Sequence, residues 1–410
     1  MKRKVCKVSL SLALVFLLVC SLSICAFAEG TEPEYTISMA CSSTEKTNIG
    51  DNVVLNFNYA GMLAFKNYVE AASSNRIEVN LYTNSSLGNA SEILLQCMQG
   101  VIEVSTAGDG DMSNYYPNLQ LFSIPYTFSD RCEFYSFLDS DYVKSINEDI
   151  ASNCGVRIIS AFDNGGFRNF SNNVRQIKTA DDVKGLNIRC MQSAAHLATM
   201  EALGAVPQAL AFSELYSALQ TGVVDGQENA PLVMLDNSIY EQQKYYSLDG
   251  HMISPCYFIV NEAWYQSLPA DLQKVITDGG KIAETAARGT ISTSEGMALT
   301  FLADKGVDVY APNAEEKETF KIAQAPVVKW LKGEIGDDVV DGFLDAVQTN
   351  KEGANIEVTA STAAAATSSS SVGYIIAIVI LALAVVVLAV KAFGKKKTRN
   401  NRAETCPVND

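Results

Sequence analysis

From Tyr35 onward, short apolar runs alternate with stretches of helical periodicity. "YTISMA" (Tyr35–Ala40), "RIEVNLYT" (Arg76–Thr83), "VIEVSTAG" (Val101–Gly108), "VRIISAF" (Val156–Phe162) and "LNIRCM" (Leu186–Met191) have the length and β-rich composition of strands. Between them, apolar residues return every three or four positions from Val53 to Ala72, Ser91 to Gly100, Ser193 to Gly204 and Ser213 to Gly222. The last three stretches open on serine and close on glycine, the residues that cap and stop helices. A polar loop is expected from Cys41 to Asp51, and a short capped turn at Thr179–Asp182. Strands alternating with helices predict an α/β fold on a parallel sheet. After Ser254 the pattern turns helical: Ala270–Gly306 almost without a break, then Ala314–Gly333 and Asp337–Gln348.

The two ends follow another pattern. Lys2, Arg3, Lys4 and Lys7 precede an apolar run that ends in Ala26-Phe27-Ala28, which reads as a secretory signal peptide over 1–28. Residues 372–390 carry no charge and reach the ~20 apolar residues that cross a bilayer. Six Lys and Arg residues follow within 391–410, and the positive-inside rule places that basic tail in the cytosol. The low-complexity stretch of 351–371 reads as a linker. The picture is an extracytoplasmic body anchored to the cell membrane by a C-terminal transmembrane helix.

Composition narrows the partners. The net charge of −15 includes a positive signal and tail; removing them leaves about −23 on the exported part. So acidic a surface argues against nucleic acid. The six exported cysteines, Cys41, Cys97, Cys132, Cys154, Cys190 and Cys256, form no C-x-x-C pair, so no metal site is expected and their pairing stays open. His196 and His251 are the only histidines. No nucleophile motif, phosphate loop or metalloprotease motif is present, so neither an enzyme nor a cofactor is expected.

A few residues stand out chemically. Arg189 lies mid-strand, on the face opposite Leu186, Ile188 and Cys190. An arginine there needs a carboxylate, either internal or a ligand's. Arg168 follows Gly165 and Gly166 in "NGGFRNF". "ALQTGVVDGQEN" (Ala218–Asn229) gathers Asp225, Gln227, Glu228 and Asn229 after a helix. Asp225-Gly226 reads as a turn, Glu228 as a brace, and Asn229 as a donor and acceptor for a ligand. An acid/base pair of Asp225 and Glu228 is the alternative. Phe212, Tyr216, Phe167 and Tyr126 are candidates for core or for pocket wall. "LLQCMQGVIEVSTAGDG" (Leu94–Gly110) echoes the Leu215–Asn229 stretch, and two such loops at strand ends would face across a cleft.

Taken in order, "PYTF", "NGGFRNF", "KGLNIR", "ALGAVP" and "AFSELYSALQTGVVDGQEN" resemble the solute-binding proteins of TRAP transporters, DctP type, over most of Glu34–Gln348. The resemblance implies two α/β lobes around a ligand cleft, spanned by a long helix. Lobe I would comprise 33–165 and 254–293, lobe II 166–253 and 294–350. It implies a small organic acid as ligand and the TRAP permease subunits as membrane partners. Arg189 inherits the carboxylate-binding role, and Arg168, Asn229, Phe212 and Ser193 inherit ligand contacts. Specificity is expected from the loops around Ser42–Lys46 and Gly108–Asp111. The membrane helix departs from the family, whose receptors are free or lipid-anchored. A receptor serving a signalling partner is the alternative function.

Overall fold

The computed structural model describes residues 32–367. The expected signal segment, the membrane helix expected over 372–390 and the basic tail lie outside these residues, and among the described residues no helix is long and apolar enough to cross a membrane.

The described residues form eleven strands: β1 (Tyr35–Ala40), β2 (Lys46–Ile49), β3 (Asn52–Leu55), β4 (Ile77–Tyr82), β5 (Val104–Gly108), β6 (Val156–Asn172), β7 (Asn187–Cys190), β8 (Val206–Ala209), β9 (Gly226–Asn229), β10 (Tyr245–Asn261) and β11 (Asp308–Tyr310). One sheet runs β4-β1-β5-β10-β6-β9-β7-β8, with β11 beside β10. The wings are parallel, β4-β1-β5 on one side and β9-β7-β8 on the other. The centre is not. β10 runs antiparallel to β5 and β6, and β6 antiparallel to β9. The sheet is therefore mixed, where a parallel one was expected.

The difference comes from two 17-residue strands, β6 and β10. The glycine pair after Phe162 suggested that β6 would end there. Instead it continues through a bulge: Asp163 pairs with Pro255 and Phe167 with Ile253, so three residues of β6 face one of β10. Gly165 and Gly166 sit there at φ +85 and +119, conformations that other residues adopt at a cost. The last residues of β10 carry the β5-β1-β4 wing, and the last residues of β6 carry the β9-β7-β8 wing. The lobe boundaries expected at 165/166 and 253/254 fall at this bulge, and that at 293/294 falls inside a helix. The described residues up to Val347 nevertheless cluster as one unit.

That helix, Ala270–Asp304, has 35 residues and spans about 50 Å. Leu272, Ile276, Ala283, Ala287, Ile291, Ala298 and Leu302 form its buried stripe. Its first half packs with Phe65, Val69 and Phe258 on the β4-β1-β5 side; its last turns pack with Leu215, Met234 and Tyr246. The helix expected over 314–333 divides at Ala325-Pro326, since a proline at the first position of a new helix costs nothing there. The final helix continues from Asp337 to Thr367, into the stretch expected as a linker. Alanine, abundant there, has the highest helix propensity. The expected loop over 41–51 holds the start of the β2-β3 hairpin, turned by Gly50 at φ +62.

Candidate functional site

The parallel strands of both wings end toward one cleft with a cavity volume of about 100 Å³. Open α/β sheets bind ligands beyond the carboxyl ends of their strands. Here Thr106, Ala107 and Gly108 come from β5 and its end, Arg189 from β7 and Asn229 from β9; Phe57 and Phe212 bring aromatic walls from the first residues of two helices.

Arg189 is 3% exposed. Its Nε and Nη2 both donate to the carbonyl oxygen of Leu210, at 3.0 and 2.8 Å, and its guanidinium lies 5.9 Å from the Phe212 ring centre. Among the described residues it makes no ion pair. Burial disfavours its charge and brings its pKa down to about 10, despite the distant pull of Glu228. It is a desolvated cation facing a cleft, and among the described residues it hydrogen-bonds only to a neutral carbonyl.

Arg168 is placed differently. It is fully buried behind the cleft wall, and its Nε and Nη2 grip Glu228 Oε2 and Oε1 at 2.5 and 2.8 Å. Nη2 also donates to the Glu228 carbonyl at 2.8 Å, while Nη1 has no partner among the described residues. Glu228 in turn lies 3.4 Å from His251 Nε2, and His251 Nδ1 lies 2.8 Å from Asp249. Positive and negative groups alternate along this buried row. Burial alone would raise the Glu228 pKa, but Arg168 and His251 outweigh it and hold the carboxyl well below its usual range. Burial also opposes a charge on His251, yet Asp249 and Glu228 raise its pKa to about 9.

The internal ion pair considered for Arg189 is thus made by Arg168. Of the five expected site residues, the structure brings Arg189, Phe212 and Asn229 to the cleft; Arg168 and Ser193 stand outside its lining. Ser193 is 2% exposed and accepts from Ser113 Oγ at 3.3 Å; it heads its helix without a side-chain cap bond. Asn229 donates to Gln227 Oε1.

The carboxylates of "DGQEN" face away from chemistry. Asp225 Oδ2 accepts from the backbone and side-chain nitrogens of Asn187, at 2.8 and 3.0 Å. The turn expected at Asp225-Gly226 is a strand start instead. A Cβ on Gly226 would lie 2.1 Å from the Ser171 carbonyl oxygen, so only glycine lets β9 pair here with β6. Of the four aromatic candidates, Phe212 alone lines the cleft; Tyr216 donates to Glu241, and Tyr126 and Phe167 pack against cores.

Both loops expected to carry specificity reach the cleft, through Ser42, Ser43, Gly108 and Asp111. Phe57, Asn58, Asp236 and Cys256 also line it and were not singled out in the sequence. Asn56 caps the helix that starts at Phe57, by accepting from the Asn58 amide, and was the available signal. The six cysteines among the described residues are unpaired, and five of them are buried.

The family described as "Bacterial extracellular solute-binding protein, family 7" (DctP) matches residues 55–333. The chain belongs to this family. It is a TRAP-type solute-binding protein and not an enzyme. The C4-dicarboxylate-binding periplasmic protein DctP of Rhodobacter capsulatus is 30% identical over 284 residues, covering 68% of this chain and 84% of that protein. The sugar acid binding protein DctPAm of Advenella mimigardefordensis, solved with galactonate, superposes with a TM-score of 0.72 at 26% identity, over 77% of this chain and 98% of that one. A TRAP solute-binding protein of Sulfurospirillum deleyianum, solved with succinate, gives 0.69 at 26% identity, over 76% and 98%.

Proposed function

We propose that this TRAP-type receptor takes a small organic acid into the cleft and holds its carboxylate on Arg189. The burial of Arg189 without an ion-pair partner carries the reading. A desolvated guanidinium costs free energy unless an anion answers it, and its planar fork matches a carboxylate. Leu210 takes Nε and Nη2 on one side, which orients the fork. Phe212 supplies an apolar wall, and Asn229 offers an amide to a ligand oxygen. Arg168 and Glu228 support this wall from behind, their side chains at rest against each other.

Relatives named or solved with a C4-dicarboxylate, galactonate and succinate support an organic acid here. The wings of the sheet meet at the β6/β10 bulge, and in this reading the lobes expected from the sequence close on the ligand about that region. The receptor then delivers its ligand to membrane permease subunits. The 372–390 segment tethers it at the membrane surface, which raises its local concentration near them.

Titration calorimetry with a panel of organic acids tests the central claim. Arg189→Ala should abolish binding, with the melting temperature kept within a few degrees of wild type. Undiminished affinity in that variant sinks the reading.

A further inference from the structure

Relatives of this fold hold a sugar acid in one case and a dicarboxylate in another. The charges of the cleft discriminate between the two for this chain. Among its lining residues Arg189 is the only basic one, whereas Asp111 and Asp236 are both acids. Asp236 is engaged by the protein: Oδ1 accepts from Thr44 Oγ1 at 2.6 Å and Oδ2 from Asn56 Nδ2 at 3.3 Å.

Asp111 is placed to meet a ligand. It follows the end of β5, on the wing opposite Arg189, and Ser91 Oγ donates to its Oδ1 at 2.9 Å. Burial pushes the Asp111 pKa up, while the Ser91 hydrogen bond and the charge of Arg189 favour the carboxylate. A ligand whose carboxylate sits on Arg189 therefore extends toward a carboxylate. A second anionic group on that ligand would meet like charge in a desolvated space, with no further cation in the lining to neutralise it. A hydroxyl would instead donate to Asp111. The polar groups nearby suit hydroxyls too. Asn58, Thr106 and Gln192 each offer both a donor and an acceptor.

We infer that the cleft selects a hydroxylated monocarboxylate, with Asp111 accepting from a ligand hydroxyl and excluding dicarboxylates. The inference rests on Arg189 as the carboxylate fork. Asp111 then acts as a specificity residue by two routes at once: a hydrogen bond to the right ligand, and repulsion of the wrong one. A site that hydrogen-bonds a hydroxyl rejects analogues lacking it far more strongly than an apolar pocket does.

Galactonate and galactarate share one six-carbon skeleton and differ in whether the far end is a hydroxyl or a carboxylate. The purified full-length chain is titrated with both at pH 7, beside erythronate, glucuronate and succinate. The wild type should bind at least one hydroxylated monocarboxylate, and favour it over its matched dicarboxylate by tenfold or more. Asp111→Asn should narrow that ratio at least tenfold, mainly by admitting the dicarboxylate. A dicarboxylate bound as tightly by the wild type, a ratio unmoved by Asp111→Asn, or binding of no hydroxylated monocarboxylate overturns the inference. The wild-type ratio decides alone if the variant does not fold. Dicarboxylate binding that is lost in Arg189→Ala would overturn this inference and leave the receptor reading standing. Binding of any acid that survives Arg189→Ala overturns both.

Discussion

Arg168 and Glu228 form a two-pronged ion pair across β6 and β9, with side chains 1% and 0% exposed. Each is the other's counter-charge in a place water does not reach. Glu228→Gln keeps the shape and removes the charge, leaving a buried guanidinium uncompensated. Loss of one partner in such a pair costs about 3–5 kcal/mol. The urea midpoint of the ligand-free protein should fall accordingly, and an unchanged midpoint would contradict the role of the pair.

The same row predicts how stability responds to alkali. The folded-state pKa of His251 is raised to about 9, above the ordinary histidine value of 6.5. The stability it contributes is complete below pH 6.5 and is lost as pH rises through 9. Asp109, raised to about 6 by burial, titrates below this window. His196 is held neutral by burial, with its pKa lowered to about 3. The ligand-free unfolding free energy should decline from pH 6.5 to 9 by on the order of 2 kcal/mol, read as a falling melting temperature. In His251→Gln this decline should largely vanish; a wild-type-like slope in that variant would count against the assignment.

In the proposed reading, Arg189 trades stability for binding. It is as buried as a core residue, yet among the described residues no carboxylate pairs with it. Replacing a buried charge by an apolar side chain of similar volume is often neutral or stabilising, by about 1–4 kcal/mol. Arg189→Met should melt at or above the wild-type temperature without ligand, and should show no ligand-induced shift. A large loss of stability would mean that Arg189 serves the fold rather than a ligand.

Much of this was legible in one dimension. The Leu186/Ile188/Cys190 alternation put Arg189 on the opposite face, and the structure shows that face turned to the cleft. The glycine stops, the Ala270 helix and the cleft-lining Asn229 followed from local pattern or from ordered motifs. The β6 strand did not, because a glycine pair signals a loop unless a partner strand is present to bridge it. Asp225-Gly226 misled for a similar reason. The residues suit a turn, but Asn187 and Ser171, both distant in sequence, made it a strand edge.

By itself, the sequence determined the alternation of strands and helices, the acidic composition, the family, and an arginine on a strand in need of a counter-charge. These depend on periodicity and on residue chemistry, which act locally. Only the tertiary structure decided which arginine finds an internal carboxylate. Glu228 is 60 residues from Arg168, and nothing in a linear pattern says that β9 lies beside β6 with Glu228 under that guanidinium. The same pairing leaves Arg189, one strand further along, with only a carbonyl. Ion pairing acts over a few ångströms of space, so which arginine is internally paired and which faces the cleft belonged to the fold.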